Sequence, residues 1–366
     1  MPRLVLFSCL VISGLAAATS EAVETVRFRE SGLSNGAPLR GDQPRTVVGE
    51  ILVEAQDGGL MLMSDDGRIW SIEPDQIIER TSDETELVPI TTDEMERRML
   101  EELPEGFRVY RTNDYLIFHN TTDDYVRAVG TLFQQLHRSF FTYWKNQRWD
   151  LPPPRFPLVA LVFATRADFT RHAQADIGDT ANNVIGYYHL SSNRMTTYKV
   201  QNLERNVATI IHEATHQLAY NCGMQTRFAD NPMWVSEGLA TYFESPDISN
   251  PRKWRGIGRV NQINLARWRK YVPGRPDESL VTLLADDTRY RNSSTAINAY
   301  AEGWALTYFL IKTKRKEYVE YLRQLSASRP LESSSKRERI EMFEQAFGSS
   351  VAEIDRAMVT YLRRVR

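Results

Sequence analysis

His212-Glu213-Ala214-Thr215-His216, followed by Trp234-Val235-Ser236-Glu237-Gly238-Leu239-Ala240-Thr241-Tyr242, decides how this chain is read. Two histidines four apart on a helix stand on one face, one turn apart, so both imidazoles reach a single Zn²⁺. The glutamate beside the first is then placed to work on a metal-bound water. A catalytic zinc takes three protein ligands and keeps one position for water or substrate, which makes Glu237 on a second helix the natural third ligand. The expected cofactor is one Zn²⁺ per chain on His212, His216 and Glu237, with Glu213 as general base.

The flanking residues support both helices. Val207, Ile210, Ile211, Ala214 and Leu218 fall at i, i+3, i+4, i+7 and i+11, an apolar stripe that half-buries the first helix, and Gly223 is a natural stop. Asp230-Asn231-Pro232 reads as an N-cap with proline in the first turn, so the second helix is expected to start there. Glu244 lies two turns beyond Glu237 on the same face. It is a candidate for the carboxylate that orients a ligating histidine, the alternative being a surface salt bridge.

H-E-x-x-H with a Glu in a W-x-x-E-G-x-A-x-Y helix resembles the gluzincin metallopeptidases, the clan of thermolysin and aminopeptidase N. The wording HEATHQLA and PMWVSEGLATYFE is most similar to a planctomycete-rich bacterial family of exported metallopeptidase-like proteins. The resemblance runs from about Phe107 to the C-terminus and implies a zincin-like catalytic domain. Tyr300-Ala301-Glu302-Gly303-Trp304-Ala305-Leu306 is similar to the Y-x-K-G-x-A-L helix of aminopeptidase N relatives. The resemblance gives Tyr300 the task of stabilising the tetrahedral oxyanion; the alternative is a tyrosine packed in an amphipathic helix. The clan's upstream G-x-M-E-N segment, whose Glu captures a free amine, has no counterpart here, so amino-terminal exopeptidase specificity is unsupported. Residues 184–190 and 193–200 read as two short strands. In gluzincins an edge strand at this place pairs with the substrate backbone, which implies Gly186 and Tyr188 as substrate-binding residues, with Gly186 allowing close approach.

The other histidines carry less. His189 is placed to donate to an oxyanion or is an ordinary strand histidine, and His119, His137 and His172 have no ligand-spaced partner. Cys222, beside the zinc helix, reads as a small buried residue.

Arg3 followed by an apolar run from Leu4 to Ala18 has the layout of a secretory signal peptide cleaved near Ala18 or Ser20, so the protein is expected to be exported. With Cys9 removed, Cys222 is the only remaining cysteine and no intramolecular disulfide forms. Loss of Arg3 takes 45 basic against 47 acidic residues to 44 against 47, a net of −3, which argues against nucleic acid as a partner. No second apolar run reaches membrane-spanning length.

The expected class is α+β. Residues 1–20 are the signal and 21–44, rich in Gly, Arg, Ser and Pro, a flexible segment. Residues 45–80 form a small all-β, SH3-like module whose strands are divided by Asp57-Gly58-Gly59 and Asp65-Asp66-Gly67, and 81–92 are a linker. Packing on the enzyme is the favoured role of this module, ahead of binding a partner. Residues 93–366 form the gluzincin-like domain: a mixed sheet around the apolar run Leu158–Phe163, then a helical C-terminal half. Three readings follow: an exported zinc metallopeptidase acting on peptides or proteins, a zinc hydrolase of a non-peptide amide such as a cell-wall component, and a non-catalytic zinc-containing binding protein. Glu213 argues against the last, since a structural zinc needs no general base.

Overall fold

Asp57 and Asp66 each turn the chain by accepting a backbone hydrogen bond two residues on, from Gly59 (3.0 Å) and Arg68 (3.0 Å), with Gly58 and Gly67 at positive φ. In the computed structural model, which describes residues 23–29, 33–34, 37–38, 44–245, 254 and 256–366, these turns join strands of an antiparallel sheet. Its members are β1 (Val23–Phe28), β4 (Arg45–Glu54), β5 (Leu60–Ser64), β6 (Ile69–Ile72) and β7 (Ile77–Asp83), in the order β6-β5-β4-β1-β7, while β2 (Leu33–Ser34) and β3 (Ala37–Pro38) form a separate small pair. Residues 1–20, expected to be a signal peptide, lie outside the described residues.

The sheet therefore extends beyond both ends of the expected module. Residues 23–28 were assigned to a flexible segment, yet β1 pairs with β4 on one side and β7 on the other. Glu24 hid it from the pattern: a strand interrupted by a carboxylate reads as polar, but Arg80 reaches across at 3.0 Å to neutralise this one. Residues 81–83, expected in the linker, belong to β7 for the same reason of long-range pairing. Both faces of β5 are buried. Leu60 and Leu62 join Val26, Phe28, Val47 and Ile72, while Met61 and Met63 turn towards Leu87, Phe156 and Phe228 of the larger part of the chain.

The helix α1 (Thr92–Glu102), capped by the Thr91 hydroxyl (3.2 Å), leads into the second sheet. This comprises β8 (Arg108–Arg111), β9 (Tyr115–His119), β10 (Leu158–Phe163), β11 (Gly186–His189) and β12 (Arg194–Tyr198), in the order β11-β12-β10-β9-β8. Strands β9, β10 and β12 run parallel; β8 and β11 are antiparallel edges. The apolar run at 158–163 is the central strand, as its composition requires. Leu158, Ala160 and Val162 face one hydrophobic cluster, and Val159, Leu161 and Phe163 face another.

On the first face lie α2 (Asp123–Asn146) and, after α3 (Arg166–Ile177) on the opposite face, α4 (Leu203–Asn221). The rest is helical: α5 (Met233–Phe243), α6 (Gln262–Tyr271), α7 (Ser279–Ala285), α8 (Thr288–Arg291), α9 (Ala296–Thr313), α10 (Arg315–Ser326), α11 (Lys336–Phe347) and α12 (Val351–Leu362). The molecule is mixed α and β, with two five-stranded sheets. Among the described residues no helix is long and apolar enough to cross a membrane.

Candidate metal centre

α4 begins at Asn202, whose side chain accepts from the Arg205 amide (3.0 Å), and ends before Gly223 at φ +71°. Its segment Val207-Ala208-Thr209-Ile210-Ile211 is rich in β-branched residues with modest helix propensity. Packing holds it instead: Val207, Ile210, Ile211, Ala214 and Leu218 are all buried against the sheet and α2, and each large one contributes roughly 1.5–3 kcal/mol. Gln217, fully buried, donates to the carbonyls of Val159 (2.9 Å) and Asn193 (3.0 Å), which fixes the helix along β10 and the β11–β12 turn.

α5 starts two residues later than Asp230 suggested. Pro232 takes the N-cap position, and the first free amide, Met233 N–H, donates to Asp287 at 3.0 Å. Asp230 is drawn off instead by Arg339, which also binds Asp287 (3.0 Å). A guanidinium offers a carboxylate a stronger bond than a neutral amide does, and the sequence around Asp230 gives no sign of an arginine on α11. α5 is apolar all round and correspondingly buried. A Cβ on Gly238 would collide with Thr307 of α9, so this glycine lets α5 and α9 close on each other, and one on Gly303 would collide with the Tyr290 hydroxyl, so that glycine seats α8 against α9. The approach of α5 and α9 sets Tyr300 against Glu237.

His212, His216 and Glu237 converge. His212 Nε2 lies 3.2 Å from His216 Nε2 and 3.2 Å from Glu237 Oε2, and His216 Nε2 lies 3.7 Å from the other Glu237 oxygen. Ligands of a tetrahedral zinc with bonds of roughly 2.0–2.1 Å stand roughly 3.3 Å apart. The proton inventory points the same way. His212 Nδ1 is 2.7 Å from Glu244 Oε2, and a carboxylate only accepts, so Nδ1 carries the hydrogen. In a neutral ring Nε2 is then a bare lone pair aimed at an anionic oxygen and a second imidazole, an arrangement that repels unless a cation lies among the three atoms. Burial works against a charge on His212, but hydrogen bonds to Glu237 and Glu244 hold its pKa well above the ordinary value, the same demand for positive charge at this point. Burial pushes His216 down to about 4, leaving it a neutral donor. Burial works to raise Glu237, but the neighbouring His216 and His212 rings and the Tyr300 hydroxyl outweigh it and hold its pKa down to about 2. The donor set, two imidazoles and one carboxylate, fits a zinc ion.

Glu213 is excluded from the triad and lies beside it. Burial raises its pKa to about 7, against the pull of His212, and its Oε2 accepts the Tyr188 amide at 2.9 Å. The Glu237 charge first, and burial second, push the Tyr300 phenol far up, so the hydroxyl keeps its proton. Glu244 orients His212 and does not serve a surface ion pair.

Gly186 and Tyr188 lie on the edge strand, but neither is free in the way expected. The space beside Gly186 is filled by Thr209 of α4, where a Cβ would come within 2.9 Å of the Thr209 methyl, so the close approach is that of the protein's own helix. Tyr188 gives its amide to Glu213, its hydroxyl to Asn193 (2.7 Å) and its ring to Tyr220, stacked at 5.5 Å. His189 faces Ser192 (3.1 Å) and Asp176 (3.9 Å), away from the triad. His119 bonds the Thr121 carbonyl (3.2 Å), His137 faces Asp114 (3.5 Å) and His172 faces Asp176 (4.0 Å). Cys222 is buried, which pushes its thiol up to about 12.

One residue of the site escaped the sequence reading. Asn261, fully buried, donates through Nδ2 to Glu244 Oε1 (2.9 Å) and to the Thr241 carbonyl (3.2 Å) while its oxygen caps α6 at the Asn264 amide (3.1 Å). The cap was legible in the sequence, as an Asn before a helix, but the second bond was not. Asn261 fixes Glu244, which fixes His212.

A family model described as "Protein of unknown function (DUF1570)" matches residues 206–332. That stretch carries His212, His216 and Glu237 together with Glu213, Glu244, Asn261 and Tyr300. No curated protein matches the chain.

Proposed function

We propose that this protein is an exported zinc-dependent metallopeptidase that hydrolyses peptide bonds, built as a zincin-like domain with an SH3-like module in front. The observation that carries this reading is the division of labour among the acids. Glu237 is fixed beside the two imidazoles, Glu244 serves His212 from behind, and Glu213 stands apart from both with its pKa raised to about 7. A site that only stored zinc would have no use for a buried carboxylate so placed.

His212, His216 and Glu237 would hold a zinc ion, which would supply Lewis acidity at this place. Glu213 takes the proton of the attacking water and delivers it to the leaving amine, for which a pKa near the working pH is suited. Tyr300, a neutral donor beside Glu237, gives a hydrogen bond to the developing oxyanion. Glu244 and Asn261 hold the His212 ring and its tautomer. An extended peptide suits the terminal position of β11 in its sheet, the kind of element beside which a substrate chain is laid.

The test is turnover of a broad peptide library by the full-length protein, with zinc added and with a chelator. Zinc-dependent cleavage is expected. Silence on peptides with cleavage of non-peptide amides would move the substrate class, and silence on both would end the enzymatic reading.

A further inference from the structure

The N-terminal sheet docks on one particular feature of the larger domain, the turn between β11 and β12. Ile69 N–H of β6 donates to the Ser191 carbonyl at 2.7 Å. Gly67, at φ +77°, lets the Asp65–Arg68 turn lie so close that a Cβ there would come within 2.8 Å of Phe156 and 3.2 Å of the Asn193 side chain. Arg68 of this turn and Arg194 of β12 share the Glu102 carboxylate at 3.0 and 2.8 Å.

Between them sits Arg227. Its Nη1 donates to the carbonyl of Gly67 (2.8 Å) and to that of Leu190 (3.0 Å), and its Nη2 lies 3.1 Å from Met63 Sδ. Among the described residues no carboxylate pairs with it, and its burial lowers its pKa. A guanidinium taken out of water and given only carbonyls and a thioether is an expensive fastening where apolar contact would serve. What it supplies is direction, because one nitrogen of a planar group bridges carbonyls from the turns of two separate sheets.

The clamped turn leads to the site. Leu190 is two residues from Tyr188, whose amide holds Glu213. Asn193 is nearly fully buried at φ +59° and exchanges paired amide bonds with Asn221 of α4 (2.8 and 2.7 Å) while accepting the Tyr188 hydroxyl (2.7 Å). The turn is thus fastened to the zinc helix on one side and to the N-terminal sheet on the other. We propose that the N-terminal sheet is a working part of the site: Arg227 and the Gly67 turn are positioning elements that set the β11–β12 turn, and through the Tyr188 amide the orientation of Glu213. This rests on Glu213 acting as general base.

The experiment uses the full-length chain with Arg227→Met, which keeps the apolar stem, and Arg227→Lys, which keeps the charge but on a freely rotating group without the second nitrogen that meets Met63. Backbone hydrogen exchange, zinc content and turnover are measured for each. In Arg227→Met, exchange of residues 186–190 is expected to rise about 10-fold, with α2 and α12 unchanged. Zinc is retained, kcat falls about 10-fold, and the same substitution made in a Glu213→Gln background costs no further turnover, because the effect runs through Glu213. Arg227→Lys falls between wild type and Arg227→Met. Unchanged exchange at 186–190, exchange that rises throughout the molecule, or an equal loss of kcat in both backgrounds overturns the proposal. A wild type without turnover ends the peptidase reading, while the exchange data still decide whether Arg227 holds β11.

Discussion

The candidate metal centre and the seam between the two sheets both set carboxylates against nitrogen groups, with opposite consequences. At the centre the paired groups are close to dry: the His212, His216 and Glu237 side chains are 11–14% exposed. At the seam Arg98–Asp65 and Arg155–Glu50 meet at 2.9 and 2.8 Å, but Arg98 and Arg155 are 42% and 43% exposed. Water screens the second kind and leaves roughly 0–1 kcal/mol per pair. The first kind cannot be left half made, since an unpaired buried charge costs several kcal/mol. Position in the fold, not residue type, separates a chemical centre from an ionic trim, and apolar contacts such as Met61, Met63 and Ile69 against Phe156 join the sheets.

Substitutions at the two regions sharpen this contrast. The largest effect is expected for Glu213→Gln, which removes the base and keeps the shape. Turnover should fall roughly 10²- to 10⁴-fold, about 3–5 kcal/mol of barrier, while one zinc per chain is retained by elemental analysis. Equal activity of this variant and wild type would leave the centre without a general base. Next comes Tyr300→Phe, for which kcat about 10²-fold lower is expected, with KM and zinc content nearly unchanged. If steady-state kinetics show a normal kcat and only the thermal midpoint drops, Tyr300 is a packing residue.

Behind the ligands the effect should be smaller and read on the metal. Glu244→Ala frees the His212 ring and is expected to weaken zinc about 10- to 100-fold in a competition titration with a chromophoric chelator. Asn261→Ala, one bond further out, should weaken it less. An affinity untouched by Glu244→Ala would mean that the 2.7 Å contact does not orient the histidine.

The seam should respond least. Glu102 is held at about 2 because bonds and charges from Arg194 and Arg68 overcome its burial. A carboxylate depressed on folding adds stability above its unfolded pKa and loses it as pH falls towards the folded one. The contribution of Glu102 is therefore expected to fade between about pH 4.5 and 2. Its side chain is 48% exposed, so screening cuts that contribution to about 1 kcal/mol at most. Glu102→Gln should lower stability by no more than this at pH 7 and flatten the acid limb of the urea-unfolding profile. A loss of several kcal/mol would place this pair in the same class as the metal centre.

The sequence by itself determined what repeats over short distances. The four-residue spacing of His212 and His216, the stripe from Val207 to Leu218 and the run Leu158–Phe163 each follow from the period of one element, and α4 and β10 lie where those periods put them. Only the tertiary structure decided which distant groups complete them. Arg80 makes a strand of residues 23–28, Arg339 takes Asp230 from its helix, Thr209 fills the space beside Gly186, and Asn261 holds Glu244. Periodicity is a property of neighbours along the chain and is written there. A buried charge or a missing Cβ states only that some partner must exist, and which residue it is depends on chain segments that meet only after the two sheets and the C-terminal helices have packed.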